Sequence, residues 1–216
     1  MPKAKTPPSV FTSLPAELLT LQSDITSGGE YESNLLSNIH STTRELYDLR
    51  FDDCAFEGGN FSLNKIAGIR LKNVRFTEVD LANTKMDKAS LENVEFIKCR
   101  MTGFKLIEGT IRNALFKNCQ LKLSQFRMSK FKNVRFENCI LEESEFYGAD
   151  LTGTVFSECD LTKAELTATK LKDADLRTSK IPGLTINIES LQGAIINPSQ
   201  IPDLAWLLGV KIEWKA

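Results

Sequence analysis

From Leu46 to Ile201 every fifth residue is apolar without a miss: Phe51, Phe56, Phe61, Ile66, Leu71, Phe76, Leu81 and Met86 open the series, and Ile196 and Ile201 close it. Two places before most of them stands a small residue, Ala, Ser, Cys, Thr or Val, and the other three positions collect Lys, Arg, Asp, Glu and Asn. A helix face recurs every 3.6 residues and a strand face every 2. A strict five fits neither and predicts a repeat architecture. The series extends backward to Leu36 and Tyr31, but Ser41 interrupts it, so the first coil is expected to be irregular.

A second period lies over the first. Phe56, Phe76, Phe96, Phe116, Phe136 and Phe156 stand twenty apart, as do Cys99, Cys119, Cys139 and Cys159, and Asn73, Asn93, Asn113 and Asn133. Four fives therefore make one turn of a four-sided coil. Stacked turns sit about 4.8 Å apart if their strands hydrogen-bond, and that pairing satisfies the backbone groups which burial would otherwise orphan. The large and the small residue of each pentad point inward. The Phe and Cys ladders are core, and the Asn ladder is expected to hydrogen-bond along the stack at a corner. About eight turns, roughly 40 Å of rod, fit the length.

Three segments follow. Residues 1–30 read as a flexible leader and a cap helix starting at Ser13-Leu14-Pro15-Ala16-Glu17 and running to about Gln22, ended by Ser27-Gly28-Gly29. Residues 31–197 are the repeat body. Residues 198–216 read as a capped helix from Pro198 closing at Gly209, then an alternating strand Val210–Trp214. This apolar end either seals the stack or buries against a second copy.

Apolar content of 42% supports a substantial core, and a net charge of −1 excludes a strong overall field. The N-terminal residues hold no apolar run of signal-peptide or membrane-span length, and five cysteines fit reduced thiols, so a cytoplasmic protein is expected. The lone histidine, His40, leaves histidine-based acid–base or metal chemistry without partners. The ladder Cys99, Cys119, Cys139 and Cys159 runs along one inner wall rather than forming a tetrahedral cluster, and its members act as small apolar filler. No phosphate-cradling loop is present. No enzyme, cofactor or metal is expected.

Gly148-Ala149-Asp150-Leu151-Thr152 and Asp173-Ala174-Asp175-Leu176-Arg177 carry a resemblance to the pentapeptide-repeat proteins, whose consensus is Ala-Asp/Asn-Leu-x-x. It covers about residues 31–200 and implies an all-β solenoid, a right-handed quadrilateral β-helix. The ending Ser190-Leu191-Gln192-Gly193-Ala194 with Leu204-Ala205-Trp206-Leu207-Leu208-Gly209 resembles the Qnr-type group, especially its Gram-positive members. That resemblance implies homodimerisation through the C-terminus, here by Leu204, Trp206, Leu207, Leu208, Val210, Ile212 and Trp214. It also implies a DNA-mimicking surface that binds a type II topoisomerase, DNA gyrase or topoisomerase IV, and in some members protection from quinolones. A scaffolding rod with another protein partner is the alternative.

Charge locates the expected surface. From 137 to 175 stand Glu137, Glu142, Glu143, Glu145, Asp150, Glu158, Asp160, Glu165, Asp173 and Asp175 against only Lys163, Lys170 and Lys172. A DNA mimic needs such an acidic surface where it enters a basic saddle. From 98 to 135 the balance reverses, with Glu108 the sole acid. One side collects Arg70, Lys72, Arg112, Lys130, Lys132, Lys170 and Lys172, but without aromatics for base stacking and interrupted by Glu92, Asp150 and Asp173. Direct nucleic-acid binding is therefore not the expectation from sequence.

Overall fold

The computed structural model describes residues 14–21, 25–41 and 43–210. The chain winds as a four-sided parallel β-solenoid in which each residue lies beside the one twenty places on. This register runs from Glu30↔Arg50 to Asp175↔Ile195. The longest strands, Arg70–Thr77, Ser90–Ile97, Thr110–Lys117 and Lys130–Glu137, each run from a first face onto a second. The first face is built on Phe51, Leu71, Leu91, Ile111, Phe131, Leu151 and Leu171, the second on the Phe56–Phe156 ladder. The third follows Phe61 and Leu81, and the fourth Leu46 and Ile66. All these inward residues are buried in one continuous core.

The corners explain the polar ladder. Asn73, Asn93, Asn113 and Asn133 have φ of 53°, 53°, 50° and 55°, the left-handed region that Asn tolerates better than most side chains. Their amides also bond up the stack: Asn93 donates to Asn73 at 2.8 Å, Asn113 to Asn93 at 3.0 Å and Asn133 to Asn113 at 2.9 Å. Asp53 accepts at the top, from Asn73 at 2.8 Å. The Phe rings stack likewise, with centroids 4.4–5.1 Å apart from Phe56 to Phe156.

Several expectations need correction. Residues 14–21 contain no helix: Leu19–Thr20 is a short strand, parallel to Asn34–Leu35. A register of fifteen rather than twenty lets this strand complete the top edge of the second face, where an open row of backbone groups would otherwise stand. Ser13 and Gln22 lie outside the described residues. Ile201 keeps phase with the fives but is exposed, because the chain leaves the coil at Pro198. Outward positions are also not uniformly solvated, since Ala55, Glu95 and Leu115 on the second face are buried.

The C-terminal end is built from short helical turns. The phase of fives at Ile186 and Leu191 conceals a short helix at Ile188–Leu191, capped by Asn187. Asn197 and Gln200 form a capping box over a 3₁₀ turn at Pro198–Gln200. An α-turn at Ile201–Leu204 and a 3₁₀ turn at Ala205–Leu208 follow, and Gly209 ends them at φ 66°. Val210 carries no strand, and Ile212 and Trp214 lie outside the described residues.

Candidate functional site

A filled rod offers surfaces rather than clefts. The cavity lined by Ile25, Phe51, Phe61, Ile66 and Met86 measures about 10 Å³, room for about one water. His40 is exposed. Among the described residues no group of three or more His, Cys, Asp or Glu is placed to hold a metal ion, and no helix is long and apolar enough to cross a membrane. All five cysteines are buried thiols. Burial pushes the Cys54 thiol up to about 11, and the neighbouring Cys119 together with burial pushes Cys139 up to about 12. Such thiols are poor nucleophiles at neutral pH.

The outward charges are organised by the register of twenty. A base on one turn meets an acid on the next: Lys98 and Glu78 at 3.0 Å, Arg75 and Glu95 at 2.6 Å, Lys117 and Glu137 at 3.4 Å, Lys122 and Glu142 at 2.9 Å. Opposite charges facing each other on adjacent strands stabilise a sheet by a few tenths to about 1 kcal/mol, and like charges do the reverse. Exposed members of this set contribute little individually.

The acidic segment must be judged against that pairing. Glu137 meets Lys117 and Arg135, Glu142 and Glu143 share Lys122, and Glu145 meets Arg127. Asp150 meets Lys170, Asp160 meets Lys180, and Asp175 meets Arg177. Hydrogen bonds from the Arg177 guanidinium hold the Asp175 carboxyl below its ordinary value. Burial would raise the Asp160 carboxyl, but hydrogen bonds from Thr162 and the Lys180 charge outweigh it. Among the described residues Glu158, Glu165 and Asp173 are in no ion pair. The fold spreads the ten acids over all four sides, so the segment is an acidic girdle rather than a single face, and bases from neighbouring turns offset much of it. The sequence could not show this pairing before the register of twenty was read as contact.

The C-terminal residues divide in two. Leu204 is buried in the core and Leu207 packs against it, so these two seal the stack. Trp206, Leu208 and Val210 stay 51%, 72% and 53% exposed, and Ile201 and Ile195 are exposed as well. Large apolar residues exposed at the C-terminal end have the composition of a contact surface.

The sequence profile described as "Pentapeptide repeat region" matches residues 69–138 and 129–205. No curated protein matches in sequence. Among solved structures, the plasmid-mediated fluoroquinolone resistance protein QnrB1 is similar at 22% identity and TM-score 0.39, over 86% of this chain and 100% of that one. HetL, involved in heterocyst differentiation regulation in the cyanobacterium Nostoc sp. strain PCC 7120, is similar at 17% identity and TM-score 0.42, over 78% and 86%. Rfr23 from the cyanobacterium Cyanothece 51142 is similar at 17% identity and TM-score 0.31, over 43% and 64%.

Proposed function

This chain belongs to the pentapeptide-repeat family, and from that premise we propose that it is a non-enzymatic protein that binds a type II topoisomerase through its acidic girdle, as a mimic of duplex DNA. The observation that carries the reading is the girdle: ten carboxylates between 137 and 175 on a filled solenoid, with Glu158, Glu165 and Asp173 in no ion pair among the described residues. Rod-shaped negative charge suits a saddle built for DNA. A second copy joined through Trp206, Leu208 and Val210 would double the rod's length and place both girdles near its centre. Fluoroquinolone protection is the cellular consequence this reading expects.

Supercoiling by purified DNA gyrase, with and without a fluoroquinolone, tests it. Inhibition or protection is expected, and both are expected to vanish in Glu158→Lys/Glu165→Lys/Asp173→Lys. Unaltered supercoiling in both conditions, with no binding at micromolar protein, would sink the reading. Dimerisation is read separately: Trp206→Asp should sediment as a monomer, and an unchanged mass would refute the interface. A scaffolding role with another protein partner is the second reading, favoured by the seven acids of the girdle that are already ion-paired within the chain.

A further inference from the structure

The cross-turn ion pairs neutralise bases unevenly. On the first face Arg70, Lys72, Arg112, Lys130, Lys132 and Lys172 hold no ion pair, whereas elsewhere among the described residues only Arg44, Lys85, Lys105 and Lys163 are left so. The pairing that cancels charge on the other faces thus leaves one face positive. Arg112 faces Lys132 directly across adjacent strands, an arrangement of like charges that costs stability in a free sheet. These two side chains, with Lys130 and Thr110, border a shallow depression whose floor is Phe131 and whose far rim is Asp150 and Thr152.

We propose that this first face is a binding surface for the phosphate backbone of duplex nucleic acid, independent of the topoisomerase reading. Arg70 and Lys72 lie two turns before Arg112, and Lys172 lies two turns after Lys132, so the bases span about 24 Å along the face at about 4.8 Å per turn. Duplex DNA carries one charge per about 1.7 Å of axis, so a linear array of this length always finds phosphates opposite it. The outward positions of this face, from Glu30 and Glu32 to Lys170 and Lys172, hold no apolar residue. Protein hot spots are enriched in Trp, Tyr and Arg, of which this face offers only Arg, and a single strand would need rings on which to stack its bases. A duplex backbone needs no rings.

The acids on this face reduce the field without cancelling it. Asp150 is engaged by Lys170 at 3.9 Å and by the Thr152 hydroxyl at 2.7 Å. Glu92 sits in register between Lys72 and Arg112 and subtracts one charge. Asp173 stands at the far corner, past Lys172. About four phosphate contacts remain, which predicts sequence-independent binding with a log–log salt slope of about −4.

Fluorescence anisotropy of the full chain with a labelled random-sequence duplex measures this. Affinity is expected to fall about 200-fold between about 50 and 200 mM salt. Arg112→Gln/Lys130→Gln/Lys132→Gln should flatten the slope by about three, one for each phosphate contact removed. Lys85→Gln/Lys105→Gln, on the fourth face, should leave the slope unchanged, and circular-dichroism melting checks that all variants fold. No binding at low salt, an unaltered slope in the first-face variant, or an equal loss in the fourth-face variant would overturn the proposal. So would competition by polyglutamate as effective, charge for charge, as unlabelled duplex, because the face would then take acidic protein. Reversal of Glu158, Glu165 and Asp173 should leave duplex binding intact or strengthen it, so failure of the topoisomerase reading and failure of this one are distinguishable.

Discussion

An interior turn and the last turn of this rod solve the same problem with different residues. Around Phe116 each group is satisfied by a copy of itself one turn away. The ring stacks on Phe96 and Phe136 at 4.8 and 4.7 Å, and the Asn113 amide bonds to its homologues above and below. At the C-terminus the next copy is missing. Elsewhere a backbone N–H donates to the carbonyl twenty-one residues earlier, as Lys180 does to Cys159 at 2.9 Å. At Asn197 the Gln200 side chain is inserted instead: its Oε1 accepts from the Asn197 N–H at 2.7 Å, and its Nε2 donates to the Leu176 and Ser179 carbonyls at 2.9 and 2.7 Å. One side-chain amide stands in for the peptide group of an absent turn. Interior stability is thus collective, whereas the end rests on single residues, as the caps of repeat arrays do.

The largest effect should come from breaking the collective part. Phe116→Ala removes a fully buried ring from the middle of the stack and should cost about 3–5 kcal/mol in urea unfolding. Leu204→Ala, at the plug, should cost less, about 2–3 kcal/mol, because the open end can collapse onto the vacancy. Equal costs would mean that the end is as tightly packed as the middle.

Gln200→Ala tests the end directly. It strips partners from one N–H and two carbonyls in a residue only 6% exposed, so about 2 kcal/mol is expected. Hydrogen exchange should quicken in residues 176–197 while the turns around Phe116 keep their protection. Protection lost uniformly would show that the rod unfolds as one unit and that the contrast between end and middle carries no local stability.

Asn113 gives an intermediate effect inside the stack. Asn113→Ala places Ala at φ 50° and breaks two links of the ladder, at about 1–2 kcal/mol. Asn113→Gly restores the backbone freedom but not the hydrogen bonds. If Gly recovers all the loss, the ladder contributes only its conformation.

The same contrast explains what the sequence discloses. The inward residues repeat because each packs on its own copy, so period, four-sidedness, core and Asn ladder are all legible from spacing. The ends do not repeat. The stretch from Ser13 to Leu19 carries a helix-start signature, yet Leu19 and Thr20 join a strand edge, since a parallel partner at Asn34–Leu35 outweighs weak local propensity. Gln200 looks like any polar residue until the missing turn is seen. The candidate surface was legible as charge but not as pairing. Glu142 and Lys122 are neighbours only because twenty residues close one turn, and this separates seven compensated acids from Glu158, Glu165 and Asp173.

The cysteines sharpen the comparison at the smallest scale. Cys119 and Cys139 lie in mid-stack, where their Sγ atoms donate to the Phe96 and Phe116 carbonyls at 3.3 Å. Cys54 lies near the N-terminal end of the stack, one turn from the first coil, which keeps the register of twenty despite Ser41. An unfolded thiol ionises near pH 8.5, whereas the folded values reach about 11 for Cys54 and about 12 for Cys139. The folded state therefore holds its protons longer, and the unfolded state gains stability as the pH rises past 8.5. Stability is complete below that value and declines from there up to the folded values, by roughly 1 kcal/mol per mid-stack thiol at pH 9.5. Replacing Cys139 with Ala should remove one such share of the alkaline slope. In single-cysteine variants, alkylation at neutral pH should reach Cys54 first, through local opening of the end turns, and reach Cys119 and Cys139 only through global unfolding. Equal rates at all three would show that the N-terminal end opens no more readily than the middle of the stack.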